Sequence, residues 1–297
     1  MQVIQEHKQQ KFPDAIPAGN YSGITYLGDE RYAVVDDKSA EDGFYVWHIQ
    51  LDSVTGRVLS AENEGFRTSG QPNRDMEGIA YNPYARTLFI SGEADNEVME
   101  YTLDGQHTGR RLNMPVIYRQ ARGNRGLEAL TYDADRRLFW TVNEAPLKGD
   151  TLLRLQSFGD DLQPRRQLLY QLDEQQSVHS VVTGVSALCA CADGVLLVLE
   201  RELRVTKLRI GSWAHCRIYA VNTDDAPEDT ALTKTLLTEF RTKINLTRRN
   251  FANYEGMCFG PALADGSLPL LLIADSQNQN GGILRDWLKV VVVKRAF

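Results

Sequence analysis

Five segments of the chain repeat one pattern, and an internal repeat constrains a fold more than any other feature of a sequence. Each segment starts with a small or acidic residue, alternates apolar residues, turns at Asp, Gly, Asn or Pro, and ends in a β-rich run near a carboxylate. The segments are 20–38, 74–95, 125–146, 183–201 and 253–276. Alternation on both sides of a turn predicts an antiparallel hairpin. The sequence therefore predicts five copies of one hairpin.

The segments begin roughly 50 to 70 residues apart, which is typical of propeller blades of four strands each. The residues between them supply two further strands per blade, but the fifth segment is followed by only one, LKVVVVKRAF at 288–297. We expect residues 2–12 to provide the missing outer strand, which closes the ring and leaves no open sheet edge. The prediction is an all-β chain with one closed β-propeller domain over residues 1–297. Five blades are expected, although residues 226–250 leave room for a sixth.

Composition excludes several classes of partner. The formal net charge of -6 argues against a basic face for nucleic acid or an acidic membrane. No apolar run approaches the ~20 residues of a membrane helix, so we expect no membrane insertion, and a monomer. The first dozen residues lack the apolar core of a signal peptide, which leaves a cytoplasmic protein or one whose leader was removed. The four cysteines are scattered, which predicts buried thiols rather than disulfides.

Two sets of residues should meet at one end of the hairpins, because the start of one antiparallel strand lies beside the end of the next. The residues at the strand starts are Ser22, Glu77, Glu128, Ser186 and Glu255. The carboxylates at the strand ends are Asp36 or Asp37, Glu93, Glu144, Glu200 and Asp275. If these hairpins are the innermost strands of the blades, both sets surround the mouth of the central channel.

Carboxylates crowded at one mouth repel each other unless a cation, arginine partners or raised pKa values relieve them. A divalent cation, Ca²⁺ above all, takes six to eight oxygen ligands and suits such a ring. Alternatively, the acids only cap strand ends or accept bonds from arginines of the next blade. The arginines near the acids or in the loops leading to them are Arg67, Arg74, Arg119, Arg122, Arg125, Arg201, Arg248, Arg249 and Arg285. Such a basic rim suits a phosphate or carboxylate ligand.

Other catalytic motifs are missing from the sequence. There is no G-x-S-x-G, no P-loop and no H-E-x-x-H. The five histidines do not fall at equivalent places in the repeat. A histidine-based triad or a zinc site is therefore not expected.

Several blocks of sequence resemble the phytase-like family, whose domain is described as "esterase-like activity of phytase". They are DMEGIAYNP at 75–83 with ISGEAD at 90–95, NRGLEALTYDADRRLFWTVNEAPL at 124–147, LLVLER at 196–201 and NYEGMCFGPALADGSLPLLLIADSQNQ at 253–279. The resemblance implies a β-propeller, usually exported by bacteria, that hydrolyses phosphate or other esters. It also implies that the channel acids form the metal and catalytic centre. The family block commonly continues Ser-Asp-x-Asn-Phe, and the aromatic residue is missing after Asp275 here.

The sequence thus supports a metal-assisted hydrolase of a small anionic or ester substrate, located in the periplasm or outside the cell. The expected catalytic residues are Glu128, Glu144 and Glu200, one of them the general base. The expected metal ligands are Glu77, Glu93, Glu255 and Asp275. The expected substrate-binding residues are Arg74, Arg125 and Arg201. A non-catalytic propeller that binds a small anion, a glycan or a protein at the same mouth is the alternative, because propellers host both roles.

Overall fold

The structure is a computed structural model that describes residues 1–123, 125–174, 181–207, 209–245, 247 and 249–295. Twenty strands form five antiparallel sheets of four strands each. The strand that precedes the first blade is β1 (Gln2–Glu6). Blade I contains β2 (Tyr21–Gly28), β3 (Arg31–Asp36), β4 (Glu41–Leu51) and β5 (Val58–Pro72). Blade II contains β6 (Met76–Asn82), β7 (Thr87–Gly92), β8 (Glu97–Tyr101) and β9 (His107–Arg111).

The remaining three blades follow in chain order. Blade III contains β10 (Leu127–Asp133), β11 (Leu138–Asn143), β12 (Leu153–Gly159) and β13 (Pro164–Tyr170). Blade IV contains β14 (Val181–Ala190), β15 (Val195–Arg204), β16 (Trp213–Asn222) and β17 (Lys234–Lys243). Blade V contains β18 (Asn253–Phe259), β19 (Leu268–Asp275) and β20 (Leu288–Lys294). Two 3-10 turns lie at Val116–Gln120 and Asn278–Gly282.

The ring closes as the sequence predicted. Strand β1 pairs antiparallel with β20, with Gln2 opposite Lys294 and Val3 opposite Val293. Blade V therefore joins both ends of the chain, in the order β1-β20-β19-β18. Residues 234–243 form the outer strand of blade IV. The chain is a five-bladed β-propeller, and the described residues between 226 and 250 form no sixth blade.

The apolar core is divided among the five interfaces between neighbouring blades. Trp47 of blade I packs in one cluster with Leu271 of blade V, and Leu199 of blade IV packs with Leu272 of blade V in another. The other three interfaces hold equivalent clusters. Burying each such side chain contributes about 1.5–3 kcal/mol, so every interface contributes to closure of the ring.

The four cysteines, Cys189, Cys191, Cys216 and Cys258, are buried free thiols, as predicted. Within the described part of the chain, no helix has the length and apolar character needed to cross a membrane.

Candidate functional site

The five residues predicted to start the hairpins share one irregularity of the backbone. The register of each innermost strand against its partner shifts at this position, as between Leu127 and Ala129 in β10 or between Tyr254 and Gly256 in β18. The shifts recur in β2, β6 and β14. A β-bulge re-aims the extra residue out of the regular alternation. Ser22, Glu77, Glu128, Ser186 and Glu255 consequently line one cavity on the central axis.

A small residue follows each of these five positions and brings the innermost strands together. A Cβ on Gly23 would lie 2.4 Å from the Glu77 carbonyl oxygen, and one on Gly78 would lie 2.5 Å from the Leu130 nitrogen. Glycine is therefore required at both positions by the close approach of the next strand. The axial cavity has a volume of only about 10 Å³, which is room for about one water. The channel is thus narrow where these residues line it.

The strand-end positions are fixed by the same register. Asp37, Glu93 and Glu144 lie opposite residues 20, 75 and 126, because the amide of each donates a hydrogen bond to that carbonyl at 2.8–3.0 Å. Asp275 pairs with Asn253 in blade V. In blade IV the corresponding pair is Gly184 and Arg201. An arginine therefore occupies the position that a carboxylate holds in the other four blades.

Glu200, expected at this position as a catalytic residue, points elsewhere. Its carboxylate accepts hydrogen bonds from the Tyr170 hydroxyl at 2.6 Å and the Asp173 amide at 3.1 Å. It also pairs with Lys234, at 2.5 Å from Nζ. These partners lie between blades III and IV. The side chain is fully buried there, and the structure does not bring it to the other carboxylates.

Arg201 ties together carboxylates of the two blades that flank its own. Its guanidinium donates to the Glu144 Oε1 of blade III at 3.1 Å and forms an ion pair with Glu255 of blade V. It also donates to Asn253 Oδ1 at 2.8 Å. Burial by itself lowers the pKa of Arg201, but the neighbouring carboxylates of Glu255, Glu144 and Glu128 raise it, and the net shift of the pKa is upward. This residue was expected to bind substrate, and the structure shows it engaged inside the protein with only 4% of its surface exposed.

Two motif-start glutamates have no fixed partner. Glu77 and Glu128 are each 8% exposed, and neither makes a hydrogen bond or ion pair with any residue that the structure describes. Burial, followed by the charge of Glu128, raises the pKa of Glu77 well above its usual value. Burial, followed by the charge of Glu144, does the same for Glu128. Both carboxyls therefore face the axis with unused oxygen atoms.

Three carboxylates of blades I and II converge at one side of the mouth. Oxygens of Asp37, Asp75 and Glu77 lie within 4.8 Å of one another. Asp37 Oδ1 is buried without a hydrogen-bond partner among the described residues, and burial raises the pKa of this carboxyl to about 6. The ammonium of Lys38 contacts both aspartates, with Nζ 2.9 Å from Asp37 Oδ2. Its side chain is 59% exposed, and its two aspartate partners raise the pKa of Lys38.

Sequence reasoning missed Asp75 and Lys38. Asp75 has a positive φ of 58°, a left-handed conformation that aspartate tolerates better than most residues. Its place in the repeat offered a signal, because equivalent positions hold Asn20 and Asn253. Lys38 immediately follows the strand-end acid Asp37 in the sequence.

The other predicted metal ligands already have local partners. Glu93 Oε1 accepts the Gly126 amide of the next blade at 2.8 Å. Glu255 Oε1 accepts Asn253 Nδ2 at 2.7 Å, and Asp275 Oδ1 accepts the Gln277 amide at 2.6 Å. Burial raises the pKa of all three carboxyls. We call the whole set the acidic ring. Its members are Asp37, Asp75, Glu77, Glu93, Glu128, Glu144, Glu255 and Asp275.

Of the three arginines expected to bind substrate, only Arg125 stands at the rim. Its side chain is 37% exposed, with Nε 3.9 Å from Glu144 Oε2. Arg74 instead contacts Asp95 in blade II, at 3.3 Å, and reaches the Ile90 carbonyl. Arg248, another arginine of the expected rim, lies outside the described residues.

Eight carboxylates thus face three cationic side chains, Lys38, Arg125 and Arg201. The cationic side chains are also distributed unevenly around the acidic ring. Arg201 compensates the side formed by blades III and V, whereas among the described residues the side formed by blades I and II is neutralised by the exposed Lys38. The second side is the one that can accept a hard cation.

Comparison with solved structures finds several similar chains. The structure described as an endo-1,4-beta-xylanase from Bacteroides thetaiotaomicron VPI-5482 has a TM-score of 0.52 and 13% identity, covering 96% of this chain and 97% of that chain. At this identity the likeness is one of fold alone. The nidogen/laminin complex gives a TM-score of 0.46 at 12% identity, covering 91% and 84%. No curated protein sequence matches the chain significantly.

A family model also matches most of the chain. The model is named Phytase-like and is described as "esterase-like activity of phytase", and it matches residues 16–277. This range contains the innermost strand of every blade and every member of the acidic ring. The chain therefore belongs to the phytase-like family.

Proposed function

We propose that this propeller hydrolyses a phosphoester or a related ester at the acidic ring, with a divalent cation bound on the side formed by blades I and II. The observation that carries the proposal is the group of Asp37, Asp75 and Glu77, whose oxygens converge within 4.8 Å. Family membership supports a hydrolase.

The donor set fits a hard cation. All three groups offer carboxylate oxygens, the ligands that Ca²⁺ and Mg²⁺ prefer. The orphaned, buried Oδ1 of Asp37 and the unpartnered carboxylate of Glu77 are oxygens that the protein itself leaves unsatisfied, and such buried polar atoms are costly unless something binds them. Asp37, Asp75 and Glu77 would hold the ion, and Lys38 would move out. When bound, such an ion supplies charge neutralisation for an anionic substrate and a lowered pKa for a nearby water.

Glu128 is the ring residue best placed to move a proton. Glu144 is held by Arg201 and Glu200 is held by Tyr170 and Lys234, whereas Glu128 has no fixed partner among the described residues. Burial and the charge of Glu144 raise its pKa, and a raised pKa favours the protonated carboxyl that can act as a general acid. Arg125 at the rim would bind the anionic group of the substrate through its guanidinium.

The test is a Ca²⁺ titration of chelator-treated protein, with melting temperature and hydrolysis of p-nitrophenyl phosphate and p-nitrophenyl acetate followed together. We expect Ca²⁺ to raise the melting temperature and to start turnover of at least one substrate. Glu128→Gln should lower kcat by about 10²–10⁴ while the folded state persists. The matched control is Glu62→Gln, the same change at an exposed position of β5, and it should leave both readouts unchanged.

Two results would overturn parts of the proposal. A stability gain without turnover of either substrate would favour a binding module at the same mouth. If neither the melting temperature nor the hydrolysis rate responds to Ca²⁺, Mg²⁺, Mn²⁺ or Zn²⁺, the proposed cation site is wrong.

A further inference from the structure

A second pocket opens on the same face of the propeller as the acidic ring, between blades IV and V. Three connections in the sequence reach it, 205–212 after β15, 244–252 after β17 and 276–287 after β19. The described residues that line it are Ile210, Ile244, Asn245, Arg249, Gly282, Ile283 and Arg285. All three lie at the mouth end, because β15 and β19 end there and β18 starts there. The pocket has a volume of about 310 Å³, within the range of small-molecule sites.

The lining of this pocket, called here the IV–V pocket, is apolar with two arginines. Ile210, Ile244 and Ile283 provide the apolar wall, and Arg249 and Arg285 provide the charge. Ile210 is 58% exposed and Ile283 is 48% exposed. Large aliphatic side chains that stand exposed side by side in one concavity mark a binding surface more often than scattered ones do.

The described residues include no acidic side chain that compensates the charge in the IV–V pocket. The side chain of Arg249 makes no hydrogen bond or ion pair with a described residue, and the hydrogen bonds of Arg285 within the described chain go to the backbone carbonyls of Gly282 and Leu284. In sequence the three loops hold five basic residues and one acid, Asp286. That acid faces inward, since it accepts bonds from Ser276 and Gln279. A locally basic pocket in a protein of net charge -6 calls for an anion.

The loop that carries Ile283 and Arg285 is held in a strained shape. Four consecutive residues, Gln277 to Asn280, have φ between 38° and 55°. Such left-handed residues are costly, and they persist where the surroundings fix them. The fully buried Ser276 does so here, donating to Gly19 O at 3.1 Å and accepting from the Gln279 amide at 2.9 Å. The wall of the pocket is therefore built into the fold before any ligand arrives.

We propose that the IV–V pocket binds a small soluble amphipathic anion, an aromatic or aliphatic group that carries one phosphate-like or carboxylate group. The arginines bind the anionic group and the isoleucines cover its apolar part. The limited volume favours a small molecule over a macromolecule. A smaller cleft lined by Arg209, Ser212 and Asp275 lies between this pocket and the acidic ring. The proposal stands whether or not the ring is catalytic.

The experiment measures binding of phenylphosphonate by calorimetry, in chelator and in a buffer free of phosphate. The C–P bond of this probe resists ester hydrolysis, so binding is seen without turnover. We expect inorganic phosphate and benzyl alcohol each to bind at least tenfold more weakly, because each satisfies only half of the pocket. Arg249→Gln and Arg285→Gln should each weaken phenylphosphonate at least fivefold. Ile283→Ser should weaken phenylphosphonate and leave inorganic phosphate unchanged.

The control is Arg57→Gln, the same change at an exposed arginine in the β4–β5 loop on the opposite face, and it should have no effect. Equal binding by the wild type, Arg249→Gln and Arg285→Gln would overturn the proposal. Co-sedimentation with phosphatidic acid vesicles, lost in the two arginine variants while phenylphosphonate fails to bind, would replace the soluble ligand with a lipid surface.

Discussion

The substitution Arg201→Met should destabilise the propeller more at neutral than at acidic pH. The guanidinium is 4% exposed and touches Glu144, Glu255 and Asn253. Its removal leaves the buried Glu255 without its counter-ion and Glu144 with only the more distant Arg125 among the described cations, which costs about 3–5 kcal/mol. With an unfolding entropy of about 2.1 cal/mol/K per residue, a chain of 297 residues loses about 5–8 °C in melting temperature.

The pH dependence of the stability loss follows from the linkage between proton binding and folding. Burial already raises the pKa of Glu255 in the folded state while Arg201 lowers it, so the variant raises that pKa further. A carboxyl whose folded pKa exceeds the unfolded value binds more protons when folded, and stability therefore rises as the pH falls through the folded pKa. The deficit of the variant relative to the wild type should accordingly shrink between pH 7 and pH 5.

Urea unfolding followed by tryptophan fluorescence at both pH values gives the two free energies. The control is Arg204→Met on the same strand, because Arg204 makes no ion pair within the described chain. A loss below about 1 kcal/mol, the scale of an exposed ion pair, or a deficit that does not change with pH, would refute the reasoning.

Three further changes test other parts of the structure. Lys38→Met removes the ammonium that lies between Asp37 and Asp75, so calorimetry should show tighter Ca²⁺ binding than in the wild type. Weaker or equal binding would mean that the lysine does not compete with the ion. Glu200→Gln should lose about 3 kcal/mol of stability, because it breaks the ion pair with Lys234. Its kcat on p-nitrophenyl phosphate should stay within twofold of the wild-type value. A large fall in kcat at unchanged stability would instead indicate that Glu200 is a catalytic residue. Deletion of residues 1–8 exposes β20, whose LKVVVVK sequence would form an open apolar edge. Light scattering should then detect oligomers, and addition of a synthetic peptide of residues 1–12 should dissociate them. A monomeric deletion variant of unchanged melting temperature would contradict the role of β1.

The sequence was sufficient for the architecture, because closure depends on features repeated in every blade. Five hairpins with turns at Asn82-Pro83 or Asp193-Gly194 define five sheets, and the shortage of one strand at the C-terminus requires the N-terminal strand. The motif-start acids could be placed as well, since their position recurs in every copy.

The strand-end position of blade IV was harder to place, because alternate residues of a strand point to opposite faces and a shift of one residue exchanges them. Glu200 and Arg201 are adjacent, and the register that sets which one faces the axis depends on the bulge at Ser186. A pattern of acids alone favours Glu200, and only the pairing of Arg201 with Gly184 shows the opposite. Asp75 was missed for a related reason, because it lies before the strand, in a turn that the alternation does not describe.

The pairing of Gln2 with Lys294 also dictates a sequence of events during synthesis. The partner of β1 is β20, the last strand of the propeller, so almost all of the propeller must emerge from the ribosome before blade V can assemble. Until then β1 is an unpaired segment, and blades I and IV each expose a face that only blade V covers. Contacts between such distant residues are slow to form and leave intermediates prone to aggregation. The nascent propeller is therefore vulnerable until β20 has emerged, and a premature stop codon just before Leu288 should be harmful because it removes the partner of β1.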